Sequence, residues 1–345
     1  MKVVITADWH FGYPGRLGDL ANAFRCMIRF CIKHEIKVII LAGDLAHDRE
    51  SLTHDVSNTI SELFDEMNSA GIHMIGIVGN HDMFYRHKWQ INAIKPFSKQ
   101  ITYVDTVSNF ELDGRRFWVV PFIEHEPFYM KVIKDVNKLA NKDDILITHI
   151  GIASAKMNAC FLIPNWNVVS FENTKFNKVF AGHFHNHQKV GSKSWYTGSP
   201  IPFRFDEGLV EHGFIIYDTI SDKQVFIDLF KLIPENIRPP DFVTATAKDI
   251  DQIIKSSSND RIKIELDIDD NADEIKEQLA EAGISNVVFV KPKEENLNHP
   301  KPDGFTRSDN IFKSWLKFDK PEHLSEDLLI SLDEEIRSES RYNDD

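Results

Sequence analysis

The 345 residues include only three cysteines, Cys26, Cys31 and Cys160, and none stands in CxxC spacing. An odd count without paired spacing excludes a disulfide framework and a thiolate zinc site, and fits reduced thiols in a cytoplasmic chain. No apolar run approaches the ~20 residues that cross a bilayer. The first residues, MKVVITADWH, enter an apolar stretch without a basic leader, so neither secretion nor membrane insertion is expected. A GxxxxGK(S/T) loop is also missing, so any ATP-driven step belongs to a partner. Excess positive charge is missing as well. The net charge of −13 excludes a grip on nucleic acid over the whole surface. Residues 1–228, however, hold 24 Lys and Arg against 26 Asp and Glu, a net of −2, while residues 229–345 hold 16 against 27, a net of −11. The near-neutral N-terminal part can still take a polyanion if metal cations and a few local bases meet it.

Five short apolar runs, KVVITA, VIILAG, MIGIVG, ILIT and KVFAG, each stop immediately before an Asp, Asn or His. Runs of this length, rich in Val and Ile, predict strands covered on both faces. Apolar residues recur at three and four over residues 17–31 and 52–67, which predicts helices. After about residue 100 the pattern turns to hairpins, with Asp113-Gly114 and Ser221-Asp222 at the turns. Pro234, Pro239 and Pro240 break regular structure. Beyond them come a helix around 247–255, the strand RIKIELDI, a helix over 273–282 and the strand NVVFVK. The expected architecture is α/β: a two-sheet β-sandwich flanked by helices over 1–233 and a small α/β capping domain over 241–292. A linker at 293–307 and a helical tail over 308–345 follow, the tail carrying an apolar stripe from Leu324 to Ile336.

The five runs end in Asp8-Trp9-His10, Gly43-Asp44, Gly79-Asn80-His81-Asp82, Thr148-His149 and Gly182-His183-Phe184-His185. Strands side by side in a sheet bring their C-terminal ends to one edge, so these motifs are expected to converge on one cleft. Carboxylate, amide and imidazole donors without thiolate suit manganese, iron or zinc. Seven donors are too many for one ion. They suit two ions about 3.5–4 Å apart that share a bridging carboxylate and clamp a phosphoryl group.

In order and spacing, DxH, GD, GNHD, a lone His and GHxH resemble the calcineurin-type metallophosphoesterase superfamily. Within it, ADWHFG, GDLAHD, GHFHNHQ and YTGSPIPFRFDEG resemble the SbcD-type nuclease subunit of DNA repair and recombination complexes, over roughly residues 1–230. The resemblance implies two divalent ions, manganese above all. Asp8, His10, Asp44 and His185 would hold one ion and Asp44, Asn80, His149 and His183 the other, with His187 outside both. It implies His81 as the catalytic histidine, oriented by Asp82, with His47 on the phosphate. The attacking group would be a hydroxide bridging the ions. Arg204 and Lys189 are candidates for DNA phosphate contacts, and Trp9, with Phe11, for stacking on a base. His87, His125, His187 and His212 are expected on surfaces or loops. The implied partners are DNA (double-stranded ends, hairpins or single strands), a coiled-coil SbcC-type ATPase that receives the C-terminal helices, and a second copy in a homodimer, in a bacterial or virus-infected bacterial cell. Two alternatives use the same residues: a stand-alone phosphatase or cyclic-nucleotide phosphodiesterase, and a binding module that has lost its metals.

Overall fold

A computed structural model of the chain describes residues 1–84, 91–156, 169–208, 210–256, 260–267 and 269–291. The expected linker at 293–307 and helical tail at 308–345 lie outside the described residues, as do Cys160 and His87. In chain order the elements are β1 (Lys2–Thr6), α1 (Leu17–Lys33), β2 (Val38–Leu41), α2 (His54–Ser69), β3 (His73–Ile77), β4 (Thr102–Val104), β5 (Ser108–Leu112), β6 (Arg115–Val120), α3 (Glu126–Leu139) and β7 (Ile145–His149). They continue as β8 (Lys178–Gly182), β9 (Gln188–Val190), β10 (Ser194–Tyr196), β11 (Gly213–Asp218), β12 (Gln224–Asp228), α4 (Leu229–Leu232), β13 (Phe242–Thr246), α5 (Ile250–Ser256), β14 (Arg261–Glu265), α6 (Ala272–Glu281) and β15 (Val287–Val290).

The five apolar runs are β1, β2, β3, β7 and β8, but they do not share one sheet. One six-stranded sheet has the order β12-β11-β1-β2-β3-β4 and the other β5-β6-β7-β8-β10-β9. β1 to β3 are parallel in the first, and β6 to β8 in the second. Period-two alternation explains why the runs are apolar throughout. Val3 and Ile5 enter a core with Phe117, Ile147 and Phe180 of the other sheet, while Val4, between them, joins the layer formed with α1 and α2. In the second sheet Leu146 and Val179 pack against Tyr129, Ile133 and Val136 of α3. A strand buried on both faces has no solvent side for a polar group, and each such side chain contributes roughly 1.5–3 kcal/mol.

The hairpin turns stand where the sequence puts them: Asp113 and Gly114 both take positive φ between β5 and β6, as the tight two-residue turn requires. Residues 242–291 form a three-stranded parallel sheet, β13-β14-β15, over an apolar cluster of Ile253, Ile262, Ile264, Ile275 and Leu279. β13, which the sequence pattern did not mark as a strand, pairs with β14 along its whole length. All of this belongs to one compact unit, Met1–Pro292.

Candidate metal centre

Both sheets deliver the C-terminal ends of their parallel strands to the same end of the sandwich. The loops after β1 and β2 run side by side: the N–H groups of Asp8, His10 and Phe11 donate to the carbonyls of Gly43, Asp44 and Leu45 at 3.0, 3.1 and 2.8 Å. Asp8 then reaches across to the second sheet, where its carboxylate accepts the His183 N–H at 3.0 Å. Two glycines let the layers close this far. A Cβ on Gly43 would lie 2.4 Å from His149 Nδ1, and one on Gly182 2.3 Å from the Ala42 carbonyl. Asp8, His10, Asp44 and His183 all hold positive φ, between 47° and 112°. Such backbone costs of order 1–3 kcal/mol per residue, and the surrounding ladder holds it in place.

The donor atoms meet closely. His149 Nε2 lies 2.8 Å from Asn80 Oδ1 and 3.3 Å from Asp44 Oδ2, and His183 Nδ1 is 2.8 Å from the same Asn80 oxygen. His10 Nε2 stands 3.0 Å from His185 Nε2 and 3.7 Å from Asp44 Oδ2. Asp8, His10 and His185 bring ligand atoms within 4.8 Å of one another, as do Asp8, Asp44 and His149. Asp8 belongs to both groups, and Asp44, in the second, lies 3.7 Å from His10 of the first.

These residues fit a cation. His149 Nδ1 donates to the Ala42 carbonyl at 2.8 Å, so Nε2 of the neutral ring is a bare lone pair. It nevertheless faces two oxygens that are themselves acceptors, an arrangement that repels unless a proton or a metal lies between them. Burial lowers the His149 pKa, but the Asp44 charge and hydrogen bond outweigh it and raise the value to about 9. Burial likewise opposes ionisation of Asp44, yet the charge and hydrogen bond of His149 and the His10 charge hold its carboxyl well below the usual range. A divalent ion meets the same demand from several donors at once. His185 is aimed in the same manner, its Nδ1–H donating to Glu207 Oε1 at 2.9 Å. Fixing the far ring nitrogen this way turns Nε2 toward an ion.

Glu207 is the residue that sequence reasoning missed. Only 1% exposed, it also accepts the Phe203 N–H at 2.8 Å and Arg204 Nε at 3.1 Å. Burial raises its pKa, but the hydrogen bond and charge of His185 outweigh this and bring it down to about 2. A signal was within reach, since Glu207 lies in the family-like segment YTGSPIPFRFDEG.

Other expected residues take different places. Asp82 does not touch the His81 ring: its carboxylate accepts the N–H groups of Asp44, Gly79 and Ala46 at 2.8, 2.8 and 2.9 Å and ties the second and third loops together. His81 is oriented instead by donating Nδ1–H to the His47 carbonyl at 2.8 Å, and the two rings lie 14° from parallel. His187 stacks on Phe226 with ring centroids 3.8 Å apart, away from the donors. His212 is buried, not at the surface, between Ser199 Oγ and the Glu207 carbonyl. Arg204, with 57% of its side chain exposed, joins the cluster through Glu207, whereas the Lys189 ammonium lies over Trp195.

Trp9 cannot stack on a base. It is 0% exposed, donates to Thr6 Oγ1 at 3.0 Å and packs on Phe11 and Phe24, because the left-handed turn at Asp8 and His10 aims the intervening side chain into the core. Phe11 is buried with it. Trp9→Ala is expected to destabilise the fold by about 3–5 kcal/mol in urea unfolding, and a change within about 1 kcal/mol would place the ring outside the core.

Two mixed sheets with histidines and carboxylates gathered at their shared end define the metallophosphoesterase fold class. The chain belongs to the calcineurin-like phosphoesterase family, whose sequence model matches residues 1–187. It is 25% identical to the SbcD component of nuclease SbcCD of Staphylococcus epidermidis, in an alignment spanning 94% of this chain and 98% of that protein. It is 24% identical over 248 residues to exonuclease subunit 1 of Enterobacteria phage T4, across 66% of this chain and 67% of that one. The DNA double-strand break repair protein Mre11 of Methanosarcina mazei is 24% identical over 213 residues, 58% of this chain and 33% of its own length. The chain is accordingly a phosphoester hydrolase by family. Among the described residues no helix is long and apolar enough to cross a membrane.

Proposed function

We propose that the chain is a two-metal DNA phosphodiesterase, the nuclease subunit of an SbcCD-type end-processing complex. The observation that carries the reading is the convergence of buried donor atoms, with Asp8, His10 and His185 in one group and Asp8, Asp44 and His149 in another, each group within 4.8 Å. Asp8, His10, Asp44 and His185 hold one divalent ion and Asp44, Asn80, His149 and His183 the other, with manganese preferred. When bound, such a pair supplies positive charge to the phosphoryl oxygens and lowers the pKa of the attacking water. The side chains do the rest. The Ala42 carbonyl and Glu207 fix the tautomers of His149 and His185, and Asp82 holds the loops that carry Asp44 and Asn80. His47 meets the phosphate, and His81 delivers a proton to the departing sugar oxygen.

The relatives named as nucleases and as a DNA double-strand break repair protein support DNA as the substrate, and the alignment with a subunit of the SbcCD nuclease over nearly the whole chain supports a second subunit, which we take to be the coiled-coil ATPase, with the chain itself as a homodimer. The test is hydrolysis of linear, hairpin and single-stranded DNA, and of small phosphate esters, by the purified chain with manganese, with and without a coiled-coil ATPase. Activity confined to small monoesters would sink the reading in favour of a stand-alone phosphatase. Glu207→Gln, which weakens the anchor of His185 while keeping its volume, is expected to lower manganese affinity about 10- to 100-fold in a titration followed by electron paramagnetic resonance. Unchanged affinity would remove Glu207 from the centre.

A further inference from the structure

A cavity of about 560 Å³ opens beside the metal centre, walled by Met83, Val107, Phe122, Phe128 and Val132 and also lined by Asp105, Glu124 and His125. Its volume falls inside the roughly 300–1,000 Å³ of small-molecule sites. Two observations connect it to the reaction. Met83 directly follows His81 and Asp82 in sequence. The Phe122 ring forms a wall of the cavity and also packs on the donor histidines, 6.1 Å from His183 at 28° and 6.2 Å from His149 edge-on. The cavity and the metal centre therefore share one aromatic partition.

We propose that this cavity is a nucleobase pocket, which receives the unpaired base next to the phosphate held at the metals; this rests on the nuclease reading above. The chemistry of the lining selects the base over the backbone. Apolar and aromatic walls, with Phe128 49% exposed, offer stacking surface to a base, and among the described residues the lining holds no Lys or Arg to meet a phosphate. The Asp105 carboxylate already accepts the Tyr103 hydroxyl and keeps further acceptor capacity, and a carboxylate accepts hydrogen bonds only, so it suits the exocyclic amino groups of adenine, cytosine and guanine. Thymine presents a single ring N–H between two carbonyls, whose oxygens meet the acids unfavourably. The pocket thus discriminates against thymine by the same logic that reads an extruded base elsewhere, stacking plus contacts to its pairing edge.

The test is calorimetric titration of the full chain with manganese and, separately, dAMP, dCMP, dTMP and methyl phosphate, the last having no base. The expected result is that dAMP and dCMP bind about tenfold tighter than methyl phosphate, and dTMP clearly less so. Phe128→Ala, at a half-exposed position that the core does not need, should erase most of that increment and leave methyl phosphate binding as it was. Asp105→Ala should narrow the gap between dCMP and dTMP. Equal binding of all four ligands, or an increment untouched by Phe128→Ala, overturns the proposal. The two readings fail separately. A chain that shows the base increment but cuts no DNA keeps the pocket and loses the nuclease, and one that cuts DNA without the increment does the reverse.

Discussion

Asp44→Ala is expected to empty the centre of both ions and to lower phosphodiester hydrolysis by at least about 10³-fold. Asp44 lies 3.3 Å from His149 Nε2 and 3.7 Å from His10 Nε2, and its other oxygen accepts the His81 N–H at 2.8 Å. In the proposed arrangement its removal would take a ligand from each ion, and it takes a hydrogen bond from the loop that carries Asn80. It also leaves His149 buried without the charge that raises its pKa. The loss should exceed that of any singly placed donor, because ions at neighbouring positions repel each other unless an anion bridges them. Metal analysis after desalting, together with turnover, is the measurement. A variant that keeps two ions per chain contradicts the bridging role, and circular dichroism separates metal loss from unfolding.

The centre was legible because strand ends are. Each of the five apolar runs is buried on both faces, so the first polar residue after it marks where the chain leaves the core, and in this fold those exits are all at one end. The partition into two sheets was not legible, because an apolar run says that both faces are covered but not which strand lies alongside. Ile5 and Ile147 look alike in sequence and stand in opposite sheets. α3 carries a helical signal in the sequence, with Tyr129, Ile133 and Val136 at helical spacing on its buried face. Trp9 misled for a geometric reason: between two ligands an extended backbone would put it opposite them, but positive φ on both sides reverses the turn and sends it inward. Glu207 was hidden because it acts through another side chain. A residue that aims another side chain has no strand end to announce it, and its 2.9 Å contact with His185 is visible only in the structure.

The second large effect concerns His81, and it separates chemistry from metal binding. His81 Nδ1–H is committed to the His47 carbonyl, which leaves Nε2 as the nitrogen that gives or takes a proton, and the ring stands perpendicular to His10 at 4.8 Å without joining the Asp44–Asn80–His149 contacts. His81→Ala is therefore expected to retain both ions and to lower kcat on DNA about 10²- to 10⁴-fold, with KM little changed. The distinguishing measurement is the leaving group. A departing deoxyribose oxygen is strongly basic and needs the proton, whereas a p-nitrophenolate leaves without one, so the variant should lose far less on bis(p-nitrophenyl) phosphate than on DNA. Equal losses on both substrates would mean that His81 stabilises the phosphoryl charge instead. Loss of an ion would make it a ligand, and its role would then pass to the neighbouring His47, whose ring lies 5.6 Å away and nearly parallel.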